Sequence, residues 1–184
     1  MSKITKNRLF ELLSARHLNN PYSKLADLPS PDNFKDIHIA TKRIKKAILE
    51  KETITIVGDY DVDGVTASAL LLDSLGKMGF KNVDYFLPDR FIDGYGISER
   101  AVKIMKGRGT SLILTVDCGS LNHTEIGLAN SLGMEVIVTD HHNIAEVQPN
   151  AVAVVNPRRS ENKYPGGSNF AGVGVAFKLA QALS

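Results

Sequence analysis

A chain of 184 residues, 43% hydrophobic and 23% charged, is long enough for one α/β domain with a real core and too short for two generous ones. A single cysteine, Cys118, excludes an internal disulfide and fits a reducing compartment, and no apolar run approaches the roughly 18 residues that span a bilayer. The net charge of +2 is unevenly spread: ten Lys/Arg against five Asp/Glu make the first 50 residues +5 and leave the remainder at −3. Such a basic arm suits a polyanionic substrate, although a solvated helix face accounts for the same charges. The N-terminus lacks the apolar core of a signal peptide, so the expected location is the cytoplasm.

Residues 1 to about 20 pattern as a short amphipathic helix, with Ile4, Leu9, Phe10, Leu12 and Leu13 among basic and polar positions. Pro21, Pro29 and Pro31 then punctuate a loop. From Asp36 a second helix is predicted, with Ile37, Ala40, Ile44, Ala47 and Ile48 at helical spacing and Lys42, Arg43, Lys45 and Lys46 on the other face. Residues 1–52 are therefore expected to form a helical leader packed on a main domain over 53–184. Beyond it strands are predicted at 53–58, 82–87, 111–116, 134–139 and 151–155. Helices are predicted at about 65–75, 98–107 and 121–132, with a last one from Gly172. Gly76 and Gly133 stand where helix ends take a left-handed residue. Alternating βαβ units with apolar strands predict an α/β fold, a five-stranded mostly parallel sheet with helices on both faces.

The chemistry gathers where strands end. After the first predicted strand the chain reads Gly58-Asp59-Tyr60-Asp61-Val62-Asp63-Gly64, carboxylates at every second position. If the strand ran on, all three would share one face, and like charges that close call for a cation. The third strand ends in Asp117-Cys118-Gly119 and the fourth in Asp140-His141-His142. In a parallel sheet these carboxyl ends share one edge, where ligands bind. Each feature alone has a plain structural explanation: Asp before Gly is common turn chemistry, Asp63 can cap the helix opening at Gly64, and a lone histidine after a strand is usually a loop residue. Their convergence is what points to a site. A mixed nitrogen and oxygen donor set rich in carboxylates favours Mn²⁺ or Mg²⁺ over structural zinc. Two acidic clusters suggest two ions, about 3.5–4 Å apart, and hydrolysis of a phosphoester or phosphoanhydride.

GDYDVDG, VDCG and TDHH, in that order on successive strands, resemble the first three motifs of the DHH phosphoesterase superfamily. GDYDVDGVTASALL, LPDRFIDGYGIS and AGVGVAFKLA resemble segments of its RecJ-like branch of single-strand-specific exonucleases, and the likeness covers nearly the whole chain. Val57 stands where many smaller members carry a histidine. The resemblance implies that Asp61 and Asp63 each hold a metal, Asp59 completes the acidic motif, Asp117 bridges the ions and His141 ligates. It implies His142 against the scissile phosphate and Asp140 orienting an imidazole. In the loop 87–96, Arg90 could pair with a backbone phosphate, and Phe91 or Tyr95 could stack on a base or simply be core aromatics. Gly172 and Gly174 could offer amides to a phosphate or serve close helix packing, and Arg158 could extend a basic track or be a surface charge.

What the resemblance implies is a Mn²⁺- or Mg²⁺-dependent 5′→3′ exonuclease of single-stranded DNA in repair and recombination, with helicase or single-strand-binding protein partners. One departure counts against full activity. The family's fourth motif is an aspartate downstream of AGVGVAFKLA, and no aspartate follows Asp140 here, only Glu146 and Glu161. The domain over 53–184 is therefore expected to be incomplete at its C-terminal end, as part of a longer nuclease with weak or no activity alone. Two rivals stand beside this: a DHH phosphodiesterase of short oligonucleotides or cyclic dinucleotides, and a non-catalytic DHH scaffold.

Overall fold

The computed structural model describes residues 5–17, 28–163 and 169–184. At its centre lie five parallel strands, β1 (Ile54–Gly58), β2 (Val83–Phe86), β3 (Leu112–Val116), β4 (Glu135–Thr139) and β5 (Ala153–Val155), in the order β2-β1-β3-β4-β5. Every predicted strand is present, shortened by a residue or two. The helices are α1 (Lys6–His17), α2 (Ile37–Leu49), α3 (Val62–Lys77), α4 (Glu99–Gly107), α5 (His123–Ser131) and α6 (Gly172–Leu183), with a 3-10 turn at Pro31–Asn33.

β1 and β3 are buried along their whole length because helices cover both sheet faces. Alternate residues go to opposite layers: Ile54, Ile56, Leu112, Leu114 and Ile137 pack with α2, α3 and α6, while Val57, Ile113, Val136, Val138 and Val154 pack with α4 and α5. The predicted leader divides into two unlike parts. α2 buries Ile37, Ala40, Ile44 and Ala47 as its spacing requires, but α1 leaves Leu9, Phe10 and Leu12 exposed. Ile4, Pro21 and the Leu13 side chain lie outside the described residues. Arg43 is not a free cation of the basic face, since it bonds Glu52 at 2.6 Å and Glu135 at 2.7 Å. Gly133 does follow α5 with a left-handed φ of 77°. After α3 that role falls to Gly79 (φ 81°) rather than Gly76, because the helix runs on through Lys77.

Two features of the sheet position the site. The chain passes from β1 to β2 on one side and then crosses back over β1 to β3 on the other, so β1/β3 is the switch point of a 2-1-3-4-5 sheet, where a crevice opens. Gly58 pairs with Val116, and Val116 with Thr139. The next residues, Asp59, Asp117 and Asp140, therefore stand level on three adjacent strands.

Candidate active site

Of the three carboxylates in the first motif, only Asp59 joins this level row. β1 ends at Gly58 and α3 begins at Val62, so the alternation that would place Asp59, Asp61 and Asp63 on one strand face is broken. Asp59 is buried at the strand end. Asp61 caps α3, its Oδ1 accepting the amides of Asp63 (2.9 Å) and Gly64 (3.0 Å). Gly64 has no side chain to spare: a Cβ there would overlap the Asp59 backbone. Asp63, in the first helical turn, is turned toward α6, and its two oxygens accept the amides of Gly172 and Val173 at 2.7 Å each. It falls in neither of the two donor groups that the described residues form. Those groups are Asp59 with Asp61 and Asp117, and Asp117 with His141 and His142, each with its donor atoms within 4.8 Å of one another.

Asp117 belongs to both groups and is the most strained residue of the site. Its φ of 60° puts a non-glycine residue in the left-handed region. Its carboxylate is buried, and its Oδ1 lies 3.0 Å from His141 Nε2 but accepts no hydrogen bond. Burial, with the charges of Asp63, Asp61, Asp140 and Asp59 adding to it, pushes the Asp117 carboxyl up to about 8. Asp59 Oδ1 is likewise buried without a hydrogen-bond partner. Burial also raises the Asp59 carboxyl, opposed by the Tyr60 amide and helped by the Asp61 charge. Two orphaned buried carboxylate oxygens among clustered acids fit a divalent cation, which would satisfy both and offset the repulsion.

Asp140 behaves in the opposite way. Burial alone would raise it, yet hydrogen bonds from the His142 and Ser120 amides and the His142 ring together hold it below its ordinary value. Its Oδ1 accepts the amides of His141 (2.7 Å) and His142 (3.1 Å) and lies 2.8 Å from His142 Nδ1, while Oδ2 accepts the Ser120 amide at 3.0 Å. It stands behind the histidines rather than among the donors, the kind of support that fixes ring orientation. Sequence reasoning missed the next layer. Buried Asn156 donates to Ser120 Oγ (2.8 Å) and to the His142 carbonyl (3.0 Å), clamping the end of β4. Only its place just after β5 marked it.

The loop after β2 lies on the same edge and is rigidly built. Asp89 Oδ1 accepts the Phe91 amide at 2.8 Å, and Asp93 is held by Ser98 (2.7 Å) and doubly by Arg100 (2.9 and 2.6 Å). The Arg100 guanidinium, with Ser98 and the Asp89 amide helping against burial, lowers the Asp93 carboxyl to about 2. From this frame Phe91 projects into solvent at 94% exposure, and the Arg90 guanidinium lies 4.4 Å from the centre of the Tyr60 ring, inside the first motif. Tyr95 has a different place from the base-stacking one expected. Its hydroxyl reaches into the site, 2.8 Å from His142 Nδ1 and 3.2 Å from the Asp117 carbonyl. Arg158 is exposed but tied to the same loop, Nε donating to the His141 carbonyl at 2.7 Å.

The expected phosphate subsite at Gly172 and Gly174 is corrected as well. The Gly172 amide is taken by Asp63, and the Gly174 amide donates to the Ala171 carbonyl at 3.0 Å. Glycine at 172 serves close packing instead: a Cβ there would sit 2.6 Å from Asp117 Cβ and Cγ.

A family model, DHH family, N-terminal domain, matches residues 53–184. The chain is 46% identical over 162 residues to the single-stranded-DNA-specific exonuclease RecJ of Bacillus subtilis (strain 168), a match covering 88% of this chain and 20% of that protein. It is 44% identical over 144 residues to the single-stranded-DNA-specific exonuclease RecJ of Escherichia coli (strain K12), covering 78% and 25% respectively. A crystal structure of exonuclease RecJ bound to manganese superposes with a TM-score of 0.72 at 36% identity, over 82% of this chain and 37% of that one. The chain thus spans a fifth to a quarter of the length of these two curated relatives.

Proposed function

The chain belongs to the DHH family, and from that premise we propose that it carries the metal centre of an exonuclease that removes nucleotides from single-stranded DNA in the 5′→3′ direction, in the cytoplasm, during repair and recombination. The observation that carries the proposal is the pair of orphaned buried oxygens, Asp59 Oδ1 and Asp117 Oδ1, set among donors at the β1/β3 switch point. Asp59, Asp61 and Asp117 would hold one Mn²⁺ or Mg²⁺, and Asp117, His141 and His142 the other. When bound, such ions polarise a phosphoryl oxygen and lower the pKa of a coordinated water. Asp63, given a ligand's role by the resemblance, supports the site through α6.

The remaining work falls to the chain's own groups. Asp140 orients the His142 ring through its contact with Nδ1. Arg90 and Arg158, each fixed to a site element, offer guanidinium groups to backbone phosphates. Phe91, held in solvent by a stiff loop, offers a face to a base, a contact worth about 1–3 kcal/mol in single-strand binders. Partners of the helicase or single-strand-binding class rest on the family resemblance. Among the described residues no helix is long and apolar enough to cross a membrane.

The two donor groups share Asp117, so two ions would compete for one carboxylate. These 184 residues are expected to bind one Mn²⁺ firmly and the other weakly, and to degrade DNA slowly on their own. A Mn²⁺ titration followed by digestion of 5′-tailed single-stranded DNA, a dinucleotide and a cyclic dinucleotide tests this. Robust processive digestion of the strand overturns the weak second site. Cleavage confined to the dinucleotides overturns the exonuclease in favour of a small-substrate phosphodiesterase, and failure to bind Mn²⁺ at all points to a scaffold.

A further inference from the structure

His142 Nδ1 faces two oxygens at the same distance, Asp140 Oδ1 at 2.8 Å and Tyr95 Oη at 2.8 Å. An ionised carboxylate only accepts, and Asp140 Oδ1 already takes two backbone amides, so Nδ1 carries the proton. Tyr95 has one proton to give, and its hydroxyl donates it to the Asp117 carbonyl at 3.2 Å. The lone pair of Oη, not its proton, therefore faces Nδ1. In this network Nδ1–H has two acceptors and Nε2 keeps its lone pair. The rings meet edge to face, centroids 5.5 Å apart at 78°, which limits rotation of the imidazole.

Tyr95 is placed there by backbone that leaves it little choice. Gly96 adopts φ 79° and lies so close to Asn122 that a Cβ would stand 2.7 Å from Oδ1. Asn122, next to the start of α5, in turn donates to the Ile97 carbonyl at 3.1 Å. On the other side Asp93 is fixed by Ser98 and Arg100. The same stiff segment carries Arg90 and Phe91.

We propose that Tyr95 is a positioning residue: its hydroxyl bridges the Asp117 carbonyl and His142 Nδ1, gives the Nδ1–H that Asp140 fixes a second acceptor, and so ties the 87–96 loop to the orientation of the His142 ring. The kinetic consequence rests on the exonuclease reading; the structural one does not. Tyr95→Phe keeps the ring and removes only the hydroxyl. Long-range ¹H–¹⁵N spectra of the metal-free 184-residue chain are expected to show His142 as a single Nδ1–H tautomer, and Tyr95→Phe to keep that tautomer while shifting the Nδ1 resonance and broadening the ring signals, as loss of the second acceptor frees the ring. In single-stranded oligonucleotide digestion the variant should lose about 10-fold in kcat with KM unchanged, the scale of losing a group that orients a ligand. Identical His142 spectra in the two proteins overturn the proposal, as does a rise in KM with kcat kept, which would make Tyr95 a strand contact. If neither protein cleaves DNA, the spectra still decide the positioning role, so its failure and that of the exonuclease reading are separable.

Discussion

Asp117 shows how one residue can carry a site's cost and its function together. It combines a left-handed backbone, a buried oxygen without a hydrogen bond and a carboxyl raised to about 8. In the metal-free protein folding keeps a proton that the unfolded chain releases near its ordinary value of 3.8, so the contribution of Asp117 to stability is fully present below pH 3.8 and is lost as pH rises toward about 8. Metal binding runs the other way, because it needs the ionised carboxylate. Apparent Mn²⁺ affinity should therefore rise about tenfold per pH unit between roughly 6 and 8 and level off above, with one proton released per ion. Calorimetric titration in buffers of different ionisation enthalpy measures both, and an affinity flat over that range would show that Asp117 ionises normally. Asp117→Asn tolerates the left-handed backbone and removes the repulsion. It should abolish Mn²⁺ binding while raising the melting temperature at pH 8 by roughly 2–4 °C, about 1 kcal/mol for a domain of this size.

At the scale of elements, the site depends on how α6 is docked. Asp63 sits in the first turn of α3 and caps the start of α6, joining two helices that both bear on the metal edge. α6 has no capping side chain of its own at Ala171, so the distant carboxylate supplies what a local residue would. Asp63→Ala should cost about 1–2 kcal/mol of stability without any metal present, the usual size of a lost cap. Urea unfolding of the metal-free chain reads this, and an unchanged midpoint would mean that Asp63 serves the metal alone. Gly172→Ala tests the same junction from the other side. Its Cβ would displace either α6 or the Asp117 side chain, costing about 1–3 kcal/mol as overpacking does, with loss of Mn²⁺ affinity alongside.

For the whole molecule, the layered α/β architecture was legible because apolar strands and helical spacing report burial directly, and all five strands follow from them. The convergence of Asp59, Asp117, Asp140 and the histidines was legible too, since parallel strands end on one edge. Strand order was not, and with it the β1/β3 switch point that brings Asp59 beside Asp117. Three parts of the site escaped for specific reasons. The turn of Asp63 toward α6 was hidden because a period-two pattern continues in the letters after the strand has become a helix. Gly172 looked like a phosphate cradle because its amide's partner lies 109 residues away. Asn156 and the inward turn of Tyr95 are set by tertiary hydrogen bonds that leave no local pattern.

Cys118, the chain's single thiol, lies fully buried directly after Asp117, its Sγ 3.8 Å from the Val57 carbonyl. Burial first, and then the charges of Asp140, Asp59 and Asp117, raise its pKa well above the ordinary thiol value. A thiol reagent can reach it only when the structure around the strand ends opens, and then meets an ordinary cysteine. Its rate of alkylation is thus a clock for opening of the metal edge. An ion bound by Asp59 and Asp117 should slow that clock in proportion to its own occupancy, and a trapping assay on the unaltered protein would time it.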